Sequence, residues 1–191
     1  LESIPRTELE TNREALVRAY DVLARIHRQR GQFGQVSRYR EQQEALLDSD
    51  DSRARFLVAT AIDRWRKDGS GSSAAVNLMG QGRRLAAANG QSLLAQRAAM
   101  YECLLNNDRR GSASCKAASV STSFQALSAS GVPWLVQEAG LLRASILNRE
   151  GQRSQARTEM EVVLDGLLFF RQKLPGVLGS WFWLSREWGF E

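Results

Sequence analysis

The sequence predicts an all-α protein, and three observations carry that prediction. Apolar residues recur at steps of three and four, as in Leu16, Tyr20, Leu23 and Ile26-His27. Only three prolines interrupt 191 residues. No two alternating apolar–polar runs are joined by an Asn-Gly or Asp-Gly turn, the signal a β-hairpin would leave. Eight helices follow in order. Thr7-Glu8-Leu9-Glu10 has the form of a capping box and opens a helix over 6–30. Gly31 ends it, and a second helix runs over 33–48. Phe56, Ala59, Ile62-Asp63 and Trp65-Arg66 pattern a third over 52–67, stopped at Asp68-Gly69-Ser70-Gly71. Helices over 71–88 and 91–106 flank Gly90, and one over 110–129 precedes Gly131. Pro133 suits the first turn of a helix over 133–150, and Gly151 separates it from the last, over 153–172.

Composition bounds the function classes. Apolar residues make 43 % and charged residues 25 % of the chain, the balance of a globular domain. A chain of this length can bury roughly 70 % of its unfolded surface, which argues against disorder and for one domain or two small ones. No apolar run approaches the roughly 20 residues of a membrane span. The chain opens on Leu1 with no basic region leading into an apolar stretch, which reads as a processed protein or a piece of a longer one. The formal charge is +5, and all but Lys67, Lys116 and Lys173 of the 26 cations are arginine. Seven arginines between 13 and 40 face only Glu14 and Asp21. That segment is either a solvated helix face or a basic surface for an acidic partner.

The glycine-bearing breaks lie about forty residues apart, so helix pairs repeat at a fixed step, the signature of a helical solenoid. The residues at equivalent positions resemble the tetratricopeptide repeat. In the first copy Tyr20 takes the first aromatic position, Leu23-Ala24 the leucine and small pair, Gly31 the turn glycine, Phe33 the next aromatic and Val36 the small residue of the second helix. Ala144, Leu147, Gly151, Ala156 and Met160 give the last copy. Trp65, Gly69, Ala74 and Leu78, then Leu104, Ala113 and Ala117, give the middle ones. From Val36 to Ala74, Ala113 and Ala156 the steps are 38, 39 and 43, against about 34 in the family. A globular helical bundle stays open as the alternative. The resemblance implies a right-handed α-α superhelix of about four repeats over 1–172, with a C-terminal cap or junction over 173–191.

Three of the five tryptophans, Trp181, Trp183 and Trp188, lie in that last segment. They read as a cap over the exposed end of the stack or as an interface with a following domain. Leu174-Pro175-Gly176-Val177-Leu178-Gly179 with Trp181, Trp183 and Arg186-Glu187 resembles the segment joining tetratricopeptide repeats to CHAT domains, caspase-like relatives in bacterial proteins. That resemblance implies a regulatory module whose catalytic residues would lie past Glu191.

Catalytic, metal and cofactor chemistry has little support in the residues present. His27 is the only histidine and falls on a packing position, so no histidine metal site is expected. Cys103 and Cys115 lack C-x-x-C spacing. A turn near 108–110 would set them level across a hairpin, as two buried thiols or as a disulfide. A reduced pair fits the bacterial cytoplasm, the favoured compartment, and a bridge fits the periplasm or the exterior. Gly69-Ser70-Gly71 lacks the ending of a phosphate-binding loop. Neither Asp50-Asp51 nor Glu159 with Glu161 has a neighbour that would raise a pKa.

A binding surface is the stronger expectation. The resemblance puts the first helix of each pair on the concave face. Its groove positions fall on Arg18, Asp21, Arg25 and Arg28, then on Asp63, Arg66 and Lys67, and in the last copy on Leu141, Ser145, Asn148 and Arg149. Arginine forks pair with carboxylates, so the expected partner is a protein or peptide, acidic in character, with no cofactor. An effector-sensing arm of a transcriptional regulator is the first alternative. Nucleic-acid binding ranks below it, since few aromatic residues interleave with the arginines.

Overall fold

A computed structural model describes residues 6–69, 72–110 and 115–173. These residues form α1 (Arg6–Gln29), α2 (Phe33–Glu44), α3 (Asp50–Asp68), α4 (Ser73–Ala88), α5 (Ser92–Arg110), a 3-10 turn (Ala117–Val120), α6 (Ser121–Ser128), α7 (Pro133–Arg149) and α8 (Arg153–Lys173). The fold is all-α, and no strand occurs among the described residues. Each helix packs chiefly on its neighbours in sequence: α1 on α2, α3 on α4, α4 on α5, and α7 on α8. The pair α5–α7 adds a contact that skips one element.

Local chemistry sets the boundaries. Ser49 caps α3 by accepting from the Ser52 amide, and Ser52 returns a bond from its own side chain, so α3 starts two residues before the expected 52. The helix expected over 33–48 stops at Glu44 for the same reason, because the chain must turn before that cap. Gly31 has φ 70°, a left-handed conformation that ends α1 at little steric cost. The expected helix over 110–129 is corrected. Helix α5 runs on to Arg110, and a 3-10 turn comes before the short α6. Asn107 explains the interruption. Its side chain donates to the Cys115 carbonyl and accepts from the Cys115 amide, both at 2.7 Å, which takes both backbone groups of Cys115 out of any helical ladder. A disulfide joins Cys103 on α5 to Cys115, with Cα atoms 5.3 Å apart.

One apolar cluster runs from α3 to α8, through Val58, Met79, Met100, Leu104, Leu127, Leu142, Ile146 and Ala156. Helices approach closely where glycine removes a side chain. A Cβ on Gly140 would stand 2.5 Å from Val163 Cγ2, and one on Gly82 2.8 Å from Val58 Cγ2. In the first turn of α4 the buried small residue is Ala75 rather than Ala74, a shift of one position from the sequence reading. Among the described residues, none from α1 or α2 belongs to the cluster, and Ala24 and Val36 are the buried apolar residues of that pair.

Candidate functional site

A cleft of about 750 Å³ opens on one face of the molecule. Helix α1 supplies Glu14, Val17, Arg18, Asp21, Val22 and Arg25; α3 supplies Ser52, Arg55 and Ala59. Helix α5 adds Ser92, Leu93, Leu94 and Arg97, and the first turn of α7 adds Trp134 and Leu135. The walls therefore come from α1, α3, α5 and α7, with Gln43 of α2 and Gln91 of the α4–α5 loop between them. Among the described residues, α4, α6 and α8 supply none of the lining.

Side-chain bonds tie those four helices together. Arg28 Nη1 lies 2.6 Å from Asp63 Oδ1, joining α1 to α3. Trp65 Nε1 donates to Asp108 Oδ2 at 2.8 Å, joining α3 to α5. Arg97 grips the Glu138 carboxylate with Nε and Nη2, at 2.6 and 2.7 Å, joining α5 to α7. Tyr101 also donates to that carboxylate, at 2.8 Å. Arg149 binds Asp108 from α7. A two-pronged guanidinium contact fixes both distance and angle, so the cleft walls are held by more than apolar packing.

The α1–α3 junction is a buried charge cluster. Arg40, 5 % exposed, reaches Asp63 Oδ2 with Nε at 2.6 Å and Asp21 Oδ1 with Nη1 at 2.7 Å. Its Nη1 also donates to Gln43 Oε1 at 2.6 Å, and Gln43 Nε2 donates to the Val17 carbonyl at 3.2 Å. Asp21 further pairs with Arg25 at 2.6 Å. Burial pushes the Asp21 pKa up, but Arg25 and Arg40 beside it push harder the other way and hold it below 3.8.

Of the residues expected in a groove, Arg18, Asp21 and Arg25 line the cleft. Arg18 is exposed and pairs with Glu14 one turn away. Arg28 and Asp63 do not line it; they are buried against each other and bind the helices together. Arg66 stacks over Trp65, and Lys67 is exposed in the last turn of α3, both outside the cleft. Leu141 is buried in the core, and Arg149 bridges to Asp108. His27 stacks on Tyr39 with ring centroids 5.3 Å apart, and its Nδ1 meets Gln32 Oε1 at 2.6 Å. The interface residues Trp181, Trp183 and Trp188 lie outside the described residues, as does the whole segment from 174 on. Sequence reasoning missed Arg40, Arg55, Gln91, Leu93 and Trp134. Pro133-Trp134 carried a usable signal, because an aromatic residue in a helix's first turn projects past the preceding loop. The rest carried none.

Among the described residues no group of three or more His, Cys, Asp or Glu side chains could hold a metal ion, and no helix is long and apolar enough to cross a membrane. No family model, curated protein or solved structure matches this chain.

Proposed function

We propose that this chain is a non-catalytic, tetratricopeptide-like interaction module, wound as a right-handed superhelix of about four helical hairpins. It holds an acidic peptide segment of a partner protein in the cleft. The observation that carries this reading is the alternation of the walls: α1, α3, α5 and α7 line the cleft, as the first helices of stacked hairpins would. The bonds between those helices add support, because they link residues 35, 43 and 41 apart, close to a repeating step. The cleft's four arginines outnumber its two acids, Glu14 and Asp21, which favours an acidic ligand. Both cysteines are spent in a bridge, and the one histidine is engaged by Tyr39 and Gln32, which supports a binding rather than a nucleophilic role. The bridge also supports an oxidising compartment, the periplasm or the exterior, over the cytoplasm.

The module would serve a larger bacterial protein, a reading that rests on the resemblance of the segment from Leu174 to CHAT junctions. A second reading, a small effector held in the same cleft, is favoured by the volume, which falls in the range of roughly 300–1,000 Å³ typical of small-molecule sites. The test is selection from a random twelve-residue peptide library on wild type and on Leu93→Glu, which puts a charge on the cleft wall. Peptides that bind wild type and not the folded variant support the reading. Equal binding by both, or no binding to either, overturns it. Native mass spectrometry of the purified chain tests the second reading, which fails if no small molecule is retained.

A further inference from the structure

The cleft's own side chains define a ligand more narrowly than charge alone, and this inference rests on the reading that the cleft binds a peptide. Three of its arginines already have carboxylates: Arg18 has Glu14, Arg25 has Asp21, and Arg97 has Glu138 on two prongs. Arg55 is the lining cation with no carboxylate partner among the described residues, and it is exposed on α3. Around it the cleft presents large apolar side chains to water: Val22 is 53 % exposed, Leu93 36 % and Trp134 44 %. These come from α1, α5 and α7, three separate walls, so one object between them can cover all three. Gln91 adds a directional group. Its Oε1 is buried with no hydrogen-bond partner, while its Nε2 donates to the Asp51 carbonyl at 3.3 Å. A buried acceptor left unmade is costly, and a peptide N–H is the donor an extended ligand offers.

We infer that the cleft takes an extended peptide segment bearing one carboxylate and one large apolar side chain, the carboxylate pairing with Arg55 and the side chain seated among Val22, Leu93 and Trp134. The apolar residue sets affinity and the carboxylate sets orientation. A merely acidic segment meets one open arginine and leaves the apolar walls wet. A merely apolar one leaves the Arg55 guanidinium without a partner at the cleft mouth.

The experiment is the same twelve-residue selection, read for composition on wild type, Arg55→Glu and Trp134→Ser. Circular dichroism establishes that each variant is folded. Wild type enriches Asp or Glu at a fixed spacing from Leu, Phe or Trp. Selection on Arg55→Glu keeps the apolar residue and loses the acid, while selection on Trp134→Ser loses the apolar residue. A synthetic peptide of the wild-type consensus binds each variant about tenfold or more weakly, by fluorescence anisotropy. Cleft-dependent peptides enriched in neither residue type would overturn this inference and leave peptide binding standing. Consensus peptides that bind all three proteins equally would overturn it too. Absence of any cleft-dependent peptide removes both readings together.

Discussion

The two ends of the described chain are assembled by different forces. From α3 to α8 a single apolar cluster is continuous, tightened by glycine-mediated contacts and closed by a disulfide. The α1–α2 pair stands apart from that cluster. It holds itself together through Ala24, Val36 and the Tyr20–Tyr39 and His27–Tyr39 stacks, and it meets α3 through Asp63 with Arg28 and Arg40. Apolar burial is non-directional and tolerates small shifts, whereas a buried ion cluster has one good geometry. The first wall of the cleft is thus seated by a buried ion cluster, and the other three by the apolar cluster together with the Arg97–Glu138 and Trp65–Asp108 bonds, so the two regions should fail separately.

Breaking the charge cluster gives the largest effect. Asp63→Ala leaves the Arg28 and Arg40 guanidiniums buried around a missing carboxylate, and loss of one member of a buried pair costs about 3–5 kcal/mol. The loss should be local. Hydrogen exchange is expected to quicken across α1 and α2 while α5 and α7 keep their protection, and urea unfolding should shift from one transition towards two. A variant that stays within about 1 kcal/mol of wild type, with unchanged exchange, would show that packing rather than charge seats α1–α2.

The complementary break lies in the other region. Cys103→Ser with Cys115→Ser opens a bridge spanning 12 residues, for which loop-closure entropy gives about 3 kcal/mol. Asn107 still pins the Cys115 backbone from both sides, so the native path of the chain should persist. The destabilisation is expected to appear in α5 and α6, with α1–α2 exchange unaltered. Equal quickening in α1–α2 would mean that the molecule unfolds as one unit and would sink the division drawn here.

The same division governs what the sequence could disclose. Helix number and most boundaries were legible because apolar period, prolines and glycines act locally: Gly31, Gly90, Pro133 and Gly151 each sit where the chain turns or restarts. The exceptions have non-local causes, such as Asn107 reaching Cys115 to interrupt the expected helix over 110–129. In the cleft, Arg18, Asp21 and Arg25 are residues that the resemblance to the tetratricopeptide repeat places on a groove, and they line the cleft. Arg28 and Asp63 were expected there too, because no spacing rule distinguishes an arginine aimed at a ligand from one aimed at a carboxylate 35 residues away. Arg40 and Gln91 are legible only once tertiary partners are known.

The smallest effect, and the finest probe of the comparison, is acid sensitivity at Asp21. Burial alone would raise its pKa, yet Arg25 and Arg40 hold it below the 3.8 of an unperturbed aspartate. A carboxylate with a depressed folded-state pKa contributes stability above its unfolded value, and that contribution drains away as pH falls through the folded one. Wild type should therefore keep this contribution whole at pH 7 and lose it below about pH 4. Asp21→Asn never has it. The variant should be less stable than wild type at pH 7, and the gap should narrow as the pH drops below about 4. Urea midpoints taken between pH 7 and pH 2.5 decide the matter, and a gap that is constant across that range would mean that the Asp21 carboxylate gains nothing from its two arginines.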